Sequence, residues 1–266
     1  MQNKLSPSLK AFMTLGYCFL YFPILTLIIF SFNSSRQITM WQGFSTKWYG
    51  SLLHDQVLIK SALISLQIAA CAATLAVILG TLAALALVRL GRFRGRNFFG
   101  IIATAPLVMP EVITGLALLL LFVGLEQILG WPKGRGILTI TIAHTTLCMA
   151  YVTILVRGRL SDMDRSLEEA ALDLGARPLK VFTAITLPLI FPALLSGWLL
   201  AFALSLDDLV IASFVSGPGS STLPMVIFSS IRFGITPQIN ALATIIITGV
   251  GIGVMVAGWL LHRKKY

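Results

Sequence analysis

The sequence predicts an all-α integral membrane protein with six transmembrane helices. Of its 266 residues, 57% are hydrophobic and only 11% are charged, and its mean hydropathy is +0.90. Soluble domains carry about 25% charged residues and about 45 to 50% apolar residues. A chain with so little charge buries most of its apolar surface in lipid, which excludes a water-soluble globular domain.

Apolar runs of membrane-spanning length divide the chain. A helix needs about 20 apolar residues to cross the bilayer core. We predict six spans on that criterion, at 11–32, 57–88, 98–125, 137–156, 187–215 and 239–261. The second and fifth runs are long enough to be tilted, to project beyond the lipid or to be broken, and the sequence leaves these alternatives open. No low-complexity linker interrupts the chain, so we expect 1–266 to form a single transmembrane domain.

Basic residues are distributed unevenly between the two sides of the predicted bundle. Six spans place both termini on one side, and that side holds more than twice as many Lys and Arg residues as the other. They are Lys4, Lys10, Arg89, Arg92, Arg94, Arg96, Arg157, Arg159, Arg165, Arg177, Lys180, Arg263, Lys264 and Lys265. The other side carries Arg36, Lys47, Lys60, Lys133, Arg135 and Arg232. Because cytoplasmic loops are enriched in Lys and Arg, we expect both termini to be cytoplasmic.

Several kinds of site lack their sequence signatures. The net charge of +10 falls in short clusters between apolar runs, which favours a membrane and no nucleic acid as partner. Cys18, Cys71 and Cys148 lie far apart in apolar stretches, so we expect neither a disulfide framework nor a metal site. No G-x-x-x-x-G-K-[ST] motif is present, so any ATP and Mg would be bound by another chain.

The loop 157–181 between the fourth and fifth spans is the most charged segment of the chain, and it is patterned as a short helix. Asp162 or Asp164 can cap the start of this helix. Gly175 can end it in a left-handed conformation, and Pro178 prevents an immediate continuation. The pattern therefore predicts a helix outside the membrane.

This helix has one apolar face. Its apolar residues recur at i, i+3, i+4 and i+7, and they are Leu167, Ala170, Ala171 and Leu174. Glu168 and Glu169 fall in its early turns, where carboxylates favour the positive end of the helix dipole. A helix lying on its own protein or on the lipid surface is one interpretation, and a helix that docks on another protein is the other.

A longer pattern through the same loop favours docking. Glu169-Ala170-Ala171, three residues, Gly175, nine residues, Ile185, one residue and Leu187-Pro188 resemble the E-A-A-x3-G-x9-I-x-L-P signature of ABC-importer permease subunits. The resemblance implies a type I ABC importer permease fold with a cytoplasmic coupling helix that docks on a separate ATP-binding subunit. The residues it implies in coupling are Glu168, Glu169, Ala170, Ala171, Asp173, Gly175 and Arg177.

Further segments resemble the polyamine permeases within this class. They are 21–23 and 31–34, 89–95, 105–115 and 205–209, with the sequences YFP and SFNS, RLGRFRG, APLVMPEVITG and SLDDL. The resemblance implies a multi-pass permease of the bacterial inner membrane that imports a polyamine, with putrescine favoured over spermidine. Another small organic cation remains an alternative substrate, and a secondary transporter remains an alternative mechanism.

The same resemblance implies the partners. They are a second, homologous permease subunit that forms a heterodimer with this chain, two copies of an ATP-binding subunit, and a periplasmic polyamine-binding protein. ATP and Mg belong to the ATP-binding subunit, so we expect this chain to bind no cofactor and to have no catalytic residues of its own.

Asp207 and Asp208 are the acids that we expect in the substrate pathway. They interrupt the run 187–215, which has no other charge. A carboxylate at the bilayer centre costs about 2.5 to 3.5 kcal/mol on insertion scales, and no basic residue lies in the apolar part of any span to pair with it. A dicationic substrate is one partner. Neighbouring positions on a helix point about 100° apart, so we expect one acid to face the pathway while the other packs or caps. Alternatively, both form a solvated helix end.

Three more residues inside the spans invite a functional interpretation. Glu111 follows Pro106 and Pro110, which favour a kinked or broken helix, and it is either a second ammonium site or a carboxylate at a helix start. Trp198 can stack on an amine or belong to an interfacial belt. We expect His144 to be a hydrogen-bonded helix contact and not a proton relay, since no acid lies one turn away on its own helix.

Overall fold

The computed structural model describes residues 6–36, 40–91, 93–231 and 237–263. Some residues that enter the charge distribution lie outside these ranges, namely Lys4, Arg92, Arg232, Lys264 and Lys265. In the described ranges the regular structure is helical, apart from an isolated antiparallel bridge between Asn33 and Phe44. The predicted all-α fold is confirmed.

Twelve α-helices are present in the described residues. In chain order they are α1 (Pro7–Phe30), α2 (Lys47–Leu52), α3 (Gln56–Arg89), α4 (Arg96–Thr104), α5 (Glu111–Leu129), α6 (Ile137–Asp162), α7 (Ser166–Asp173), α8 (Pro178–Val181), α9 (Leu187–Asp207), α10 (Val210–Val215), α11 (Leu223–Ile231) and α12 (Pro237–Arg263). A 3-10 turn at Ala105–Leu107 follows α4, and a π-helical segment at Phe182–Thr186 joins α8 to α9.

Five helical segments of the described chain are long and apolar enough to cross a membrane. They are Ser8–Phe30, Gln56–Arg89, Glu111–Leu129, Ile137–Asp162 and Pro178–Asp207, and each overlaps one of the first five predicted spans, the third and fifth only in part. The predicted sixth span, 239–261, lies within the 27-residue helix α12. Within α12, the described apolar stretch is Pro237–Gly253, which is shorter than the five segments that are long enough to span a membrane. The sixth span, and with it the count of six, therefore stays a prediction.

Two of the predicted spans are not single helices. The third, 98–125, consists of α4, the 3-10 turn and α5, with a break at 108–110 where Pro106 and Pro110 were expected to produce one. The fifth, 187–215, is broken at Asp208, where the backbone is extended. The second predicted span, by contrast, is the unbroken 34-residue helix α3.

The described chain forms two compact units. One comprises the chain up to Ile59 together with the chain from Ile227, and the other is Lys60–Val226. In the first unit α12 packs against α1 and α2, and the Gln238 side chain donates a hydrogen bond to the Ser51 hydroxyl at 3.0 Å. The expectation of a single domain over 1–266 stays a prediction.

The larger unit, Lys60–Val226, contains all the predicted site residues and has two apolar clusters. Small residues of α3 allow close packing in the first cluster: a Cβ added at Gly80 would lie 2.9 Å from Val152 Cβ and 3.1 Å from the backbone oxygen of Met149. The first cluster joins α3, α6 and α9 through Ala73, Ala76, Ala84, Val88, Cys148, Val152, Val156, Leu160, Ile190 and Ala201. The second joins α3, α5, α6 and α10 through Ile64, Ile68, Phe122, Ile140, Ala143, Ile211, Ala212 and Val215.

Candidate functional site

The break between α9 and α10 is built around Asp208. Its backbone leaves the helix (φ −65°, ψ 124°), and its carboxylate contacts the first backbone amides of the next helix, which are buried. Oδ2 accepts the Ala212 backbone N–H at 2.8 Å, and Oδ1 accepts that of Ile211 at 3.4 Å. A carboxylate at a helix N-terminus satisfies amides that have no partner within the helix, and it complements the helix dipole. Asp208 thus caps α10.

His144 of α6 provides a side-chain partner for the buried Asp208 carboxylate. Its Nε2 lies 3.1 Å from Asp208 Oδ2, and its Nδ1 lies 2.7 Å from Ser205 Oγ. Since the carboxylate accepts, Nε2 is the donor, and a neutral imidazole then accepts the Ser205 hydroxyl proton at Nδ1. No Lys or Arg was found in the apolar part of the spans to pair with the aspartates, and the side chain that contacts Asp208 is a histidine. The prediction of His144 as a hydrogen-bonded helix contact is confirmed.

Asp207 has a different environment from Asp208. It is the last residue of α9, and it is exposed, whereas Asp208 is only 9% exposed. The Asp208 carboxylate accepts hydrogen bonds from the backbone of α10 and contacts His144. Of the two, Asp208 is thus the one that caps, and the assignment of Asp207 to the substrate pathway stays a prediction.

Glu111 lies at the other helix break, the one between α4 and α5. It is the exposed first residue of α5, directly after Pro110. One turn later, a Cβ added at Gly115 would meet Phe214 Cδ2 at 2.7 Å and Ile211 Cα at 3.4 Å. The start of α5 therefore packs closely on α10, the helix that Asp208 caps. The fold brings the two acid-bearing breaks onto neighbouring elements, although the sequence separates them by about 100 positions.

Trp198 does not share a face with Asp207. The two residues are nine positions apart on α9, which corresponds to about half a rotation of the helix. The half-buried Trp198 ring stacks on Phe202 at 5.2 Å, and its Nε1 donates to Thr74 Oγ1 of α3 at 3.1 Å. Its role in the substrate pathway stays a prediction, and its observed contacts are those of a helix-packing residue.

The helix predicted in the loop 157–181 is α7. Asp164 Oδ1 accepts the Ser166 backbone N–H at 3.0 Å, and hydrogen bonds from Ser166 hold the pKa of the Asp164 carboxyl below its usual range. Gly175 follows the helix with φ +83°, the left-handed conformation that the sequence predicted. The amide of Ala176 donates to the Ala171 carbonyl at 3.1 Å and so closes the last turn.

One side of the α7 segment is open to its surroundings. Leu167 is 49% exposed, and Leu174, just beyond the helix, is 90% exposed. Glu169, Ala170, Asp173, Gly175 and Arg177 are likewise exposed, while Ala171 is half-buried. Apolar side chains left uncovered outside a membrane span are typical of a surface that another protein covers.

Glu168 differs from the other predicted coupling residues because it points into its own chain. Its Oε2 lies 2.9 Å from Arg89 Nε at the end of α3, and its Oε1 accepts the Thr186 hydroxyl proton at 2.6 Å. Arg165, just before α7, also donates to the Val88 carbonyl at 2.7 Å. The prediction of Glu168 as a coupling residue is untested, but these contacts connect α7 to α3 and to the segment leading into α9.

The sequence interpretation missed two partners, His144 for Asp208 and Arg89 for Glu168. Both pairs join distant parts of the chain, since His144 and Asp208 are 64 positions apart. One signal for the first pair was available: a histidine in one apolar run and an uncompensated acid in another. The arginine at the end of the second span gave no comparable indication.

Comparison with known proteins agrees with this architecture. Residues 76–263 match the family described as binding-protein-dependent transport system inner membrane component. A relative from Escherichia coli K12, the putrescine transport system permease protein PotI, is 61% identical over 98% of this chain and 92% of its own length. The spermidine/putrescine transport system permease protein PotC of Haemophilus influenzae is 42% identical over 96% of each chain. These relatives confirm the resemblance to polyamine permeases.

Solved structures confirm the fold. A bacterial ABC transporter involved in the import of the acidic polysaccharide alginate has a chain that superposes with a TM-score of 0.69, covering 96% of this chain and 94% of that one at 19% identity. An amino acid ABC transporter gives a TM-score of 0.56 and covers 82% of this chain. With the permease fold, the loop signature and the family match in agreement, the chain belongs to the binding-protein-dependent transport system inner membrane components.

Proposed function

We propose that this chain is a permease subunit of an ATP-driven polyamine importer and that its substrate is putrescine. The observation that carries the proposal is its 61% identity to a putrescine permease over 98% of this chain. The two helix breaks support it, because each carries an exposed carboxylate that can pair with an ammonium group, Glu111 at one and Asp207 at the other. A secondary transporter would leave the exposed apolar residues of α7 and the signature around them without a role.

The proposed assembly contains a second permease subunit, two copies of an ATP-binding subunit and a periplasmic polyamine-binding protein. Both termini of this chain lie in the cytoplasm, so α7 faces the ATP-binding subunit, which binds ATP and Mg. Docking of the exposed α7 surface transmits the closure of that subunit to the membrane helices. Rigid-body movement of packed helices then opens the pathway alternately to either side.

Asp207 and Glu111 are the proposed ammonium contacts of this chain. Both are exposed, both lie at helix breaks, and a diamine carries one positive charge at each end. Asp208 supports the site indirectly, because its carboxylate already satisfies α10 and His144. Trp198 supports it through the packing of α9 on α3.

The test is ATP hydrolysis by the reconstituted complex with its binding protein, titrated with putrescine, spermidine and a neutral diol of similar length. We expect both amines to stimulate hydrolysis, putrescine at the lower concentration, and the diol to have no effect. Asp207→Asn should reduce amine stimulation at least about tenfold, since a hydrogen bond to a charged group contributes about 1.5 to 3 kcal/mol. Asp162→Asn, which changes an exposed carboxylate at the end of α6, is the matched control.

Two results would contradict the proposal. If neither amine stimulates hydrolysis or is transported, the polyamine assignment is wrong, although the assignment to the permease family would stand. If Asp207→Asn behaves like Asp162→Asn while amines are transported normally, Asp207 has no part in the pathway.

A further inference from the structure

Arginine side chains converge in a cleft beside the end of α3. The cleft has a volume of about 580 Å³ between α3, α4 and α6 and is lined by Arg96, Asn97 and Arg157. It adjoins a smaller cavity of about 210 Å³ that Arg96 and Arg157 also line, together with Arg89 and Arg165. Together, these two spaces form the arginine cleft.

The charge in the arginine cleft is only partly compensated by the described residues. Arg89 forms an ion pair with Glu168, which does not itself line the cleft, and none of the described lining residues is acidic. The Arg89 guanidinium nitrogens are buried and make no hydrogen bond of good geometry with the described protein groups. Buried donors of this kind require an acceptor. A local excess of about three positive charges therefore faces the cleft.

Part of this arginine set is held in place by the backbone. Arg96 donates through Nε and Nη2 to the Leu87 carbonyl at 3.1 and 2.6 Å, and Arg165 donates to the Val88 carbonyl at 2.7 Å. Each guanidinium has five N–H donors, so most of the donors of Arg96 and Arg165 remain for a ligand. Among the described residues, no ion pair or hydrogen bond engages the exposed guanidinium of Arg157. The guanidinium groups of Arg96 and Arg165 are held in place by the backbone. Their planar sets of donors match the oxygen atoms of a phosphate.

The surface beside the cleft is apolar and exposed. On α4, Phe98 is 68% exposed, Ile101 is 66% exposed and Ile102 is 54% exposed, and Ile101 also lines the cleft. In a membrane protein such a surface contacts acyl chains. A phosphate binder next to an acyl-chain surface has the layout of an anionic-lipid site.

We propose that the arginine cleft binds the phosphate of an anionic lipid headgroup, with the acyl chains lying along the apolar residues of α4. On the proposed orientation this lipid belongs to the cytoplasmic leaflet. Because Arg89 contacts Glu168 and Arg165 precedes α7, the lipid lies against the segment that joins α7 to the membrane helices.

The test uses the complete transporter, purified in detergent and stripped of lipid. Thermal stability and native mass spectrometry are measured during titration with dioleoyl phosphatidylglycerol, with dioleoylglycerol, which has the same chains without phosphate, and with inorganic phosphate. We expect only phosphatidylglycerol to bind and to raise the melting temperature.

Arg157→Gln is the test variant because no hydrogen bond or ion pair with the described residues holds this exposed side chain. It should weaken phosphatidylglycerol binding about fivefold, the effect of one basic residue at an anionic lipid surface. Arg94→Gln, which removes an exposed arginine that lies between α3 and α4 and does not line the cleft, should bind like the wild type. Melting temperatures without lipid should be equal in all three proteins.

Four outcomes would overturn the proposal. If Arg157→Gln and the wild type bind phosphatidylglycerol equally well, the cleft is not the binding site. If dioleoylglycerol binds as well as phosphatidylglycerol, the acyl chains alone determine lipid binding. Inorganic phosphate that reproduces the whole shift would assign the site to a soluble anion. Loss of the ATP-binding subunit from Arg157→Gln with unchanged lipid binding would make the cleft a protein contact.

Discussion

His144 and Asp208 show how a single contact can determine the course of a membrane helix. Asp208 ends α9, caps α10 and accepts a hydrogen bond from His144 at 3.1 Å, all within the buried interior of the Lys60–Val226 unit. An ionised group in that position requires hydrogen bonds from every side, because an unsatisfied buried charge is costly. The break in the fifth span therefore depends on a residue of the fourth.

Replacing His144 should destabilise the protein. His144→Leu removes the side-chain donor to Asp208 and leaves its carboxylate buried, which costs about 1 to 3 kcal/mol. Thermal unfolding in detergent measures the loss, and His54→Leu, at an exposed histidine, is the control. A double-mutant cycle with Asp208→Asn should give a coupling energy of about 0.5 to 3 kcal/mol. Additive effects of the two substitutions would contradict the contact.

At this scale the sequence singled out His144, Asp207 and Asp208 but did not predict the contact between His144 and Asp208. Asp207 and Asp208 were expected to differ, and they do, because Asp207 is exposed at the end of α9 whereas the Asp208 carboxylate is buried against α10 and His144. The assignment of the cap to Asp208 required the position of α6, which no local pattern contains. His144 was compared only with residues one turn away on its own helix, so its partner on another helix was missed.

Among the elements, α3 and α6 pack through Gly80. A methyl group there would lie 2.9 Å from Val152 Cβ and 3.1 Å from a backbone oxygen, so the two helices would have to separate. We expect Gly80→Ala to cost about 1 to 3 kcal/mol, the usual effect of overpacking a core. Gly124→Ala on α5, where no atom lies within 4 Å, should be neutral or stabilising by up to about 1 kcal/mol. Equal melting temperatures for the two variants would contradict this packing.

The two neighbouring glutamates of α7 should have separable roles. Glu168 contacts Arg89 and Thr186, whereas Glu169 is exposed. Glu168→Gln should therefore leave the ATP-binding subunit bound but lower substrate-stimulated hydrolysis about tenfold, the effect of losing about 1.4 kcal/mol of charge-assisted bonding. Glu169→Gln should instead weaken copurification of that subunit.

Copurification and hydrolysis, measured on both variants, separate the two roles. Arg89→Gln should reproduce the Glu168→Gln result, and combining the two should add little, because both remove the same ion pair. Loss of the ATP-binding subunit from Glu168→Gln would show that Glu168 is a docking residue after all.

Sequence reasoning was most successful for elements whose ends have a local chemical cause. Pro106 and Pro110 predicted the break before α5, and Gly175 predicted the end of α7. The break at Asp208 has its cause in tertiary contacts, so the length of the fifth run left it as one of several alternatives. The inward orientation of Glu168 also depends on the position of Arg89, at the end of a different helix.

At the scale of the whole molecule, the proposed orientation can be tested directly. Single cysteines introduced at Ser8, Asp173 and Lys133 into a chain without its native cysteines can be labelled with a membrane-impermeant maleimide. The charge distribution predicts that the first two react only from the cytoplasmic side and that the third reacts from outside. Labelling of Ser8→Cys and Lys133→Cys from the same side would contradict the orientation.

The overall architecture was the most predictable feature, since apolar length and low charge determine which segments can be buried in lipid. The sixth span was predicted less well, because the described apolar stretch of α12 is shorter than the predicted 239–261. The partners lie beyond a single chain, and the exposed apolar residues of α7 are the feature of this chain that indicates one of them.

As a permease subunit, this chain is proposed to carry a polyamine across the membrane at the expense of ATP that its partner subunit hydrolyses. The most direct measurement is uptake of radiolabelled putrescine into proteoliposomes that contain the complete transporter, with binding protein outside and ATP inside. We predict uptake that requires both, that unlabelled putrescine suppresses, and that continues when the proton gradient is collapsed. Uptake that proceeds without ATP and stops with the proton gradient would contradict the account.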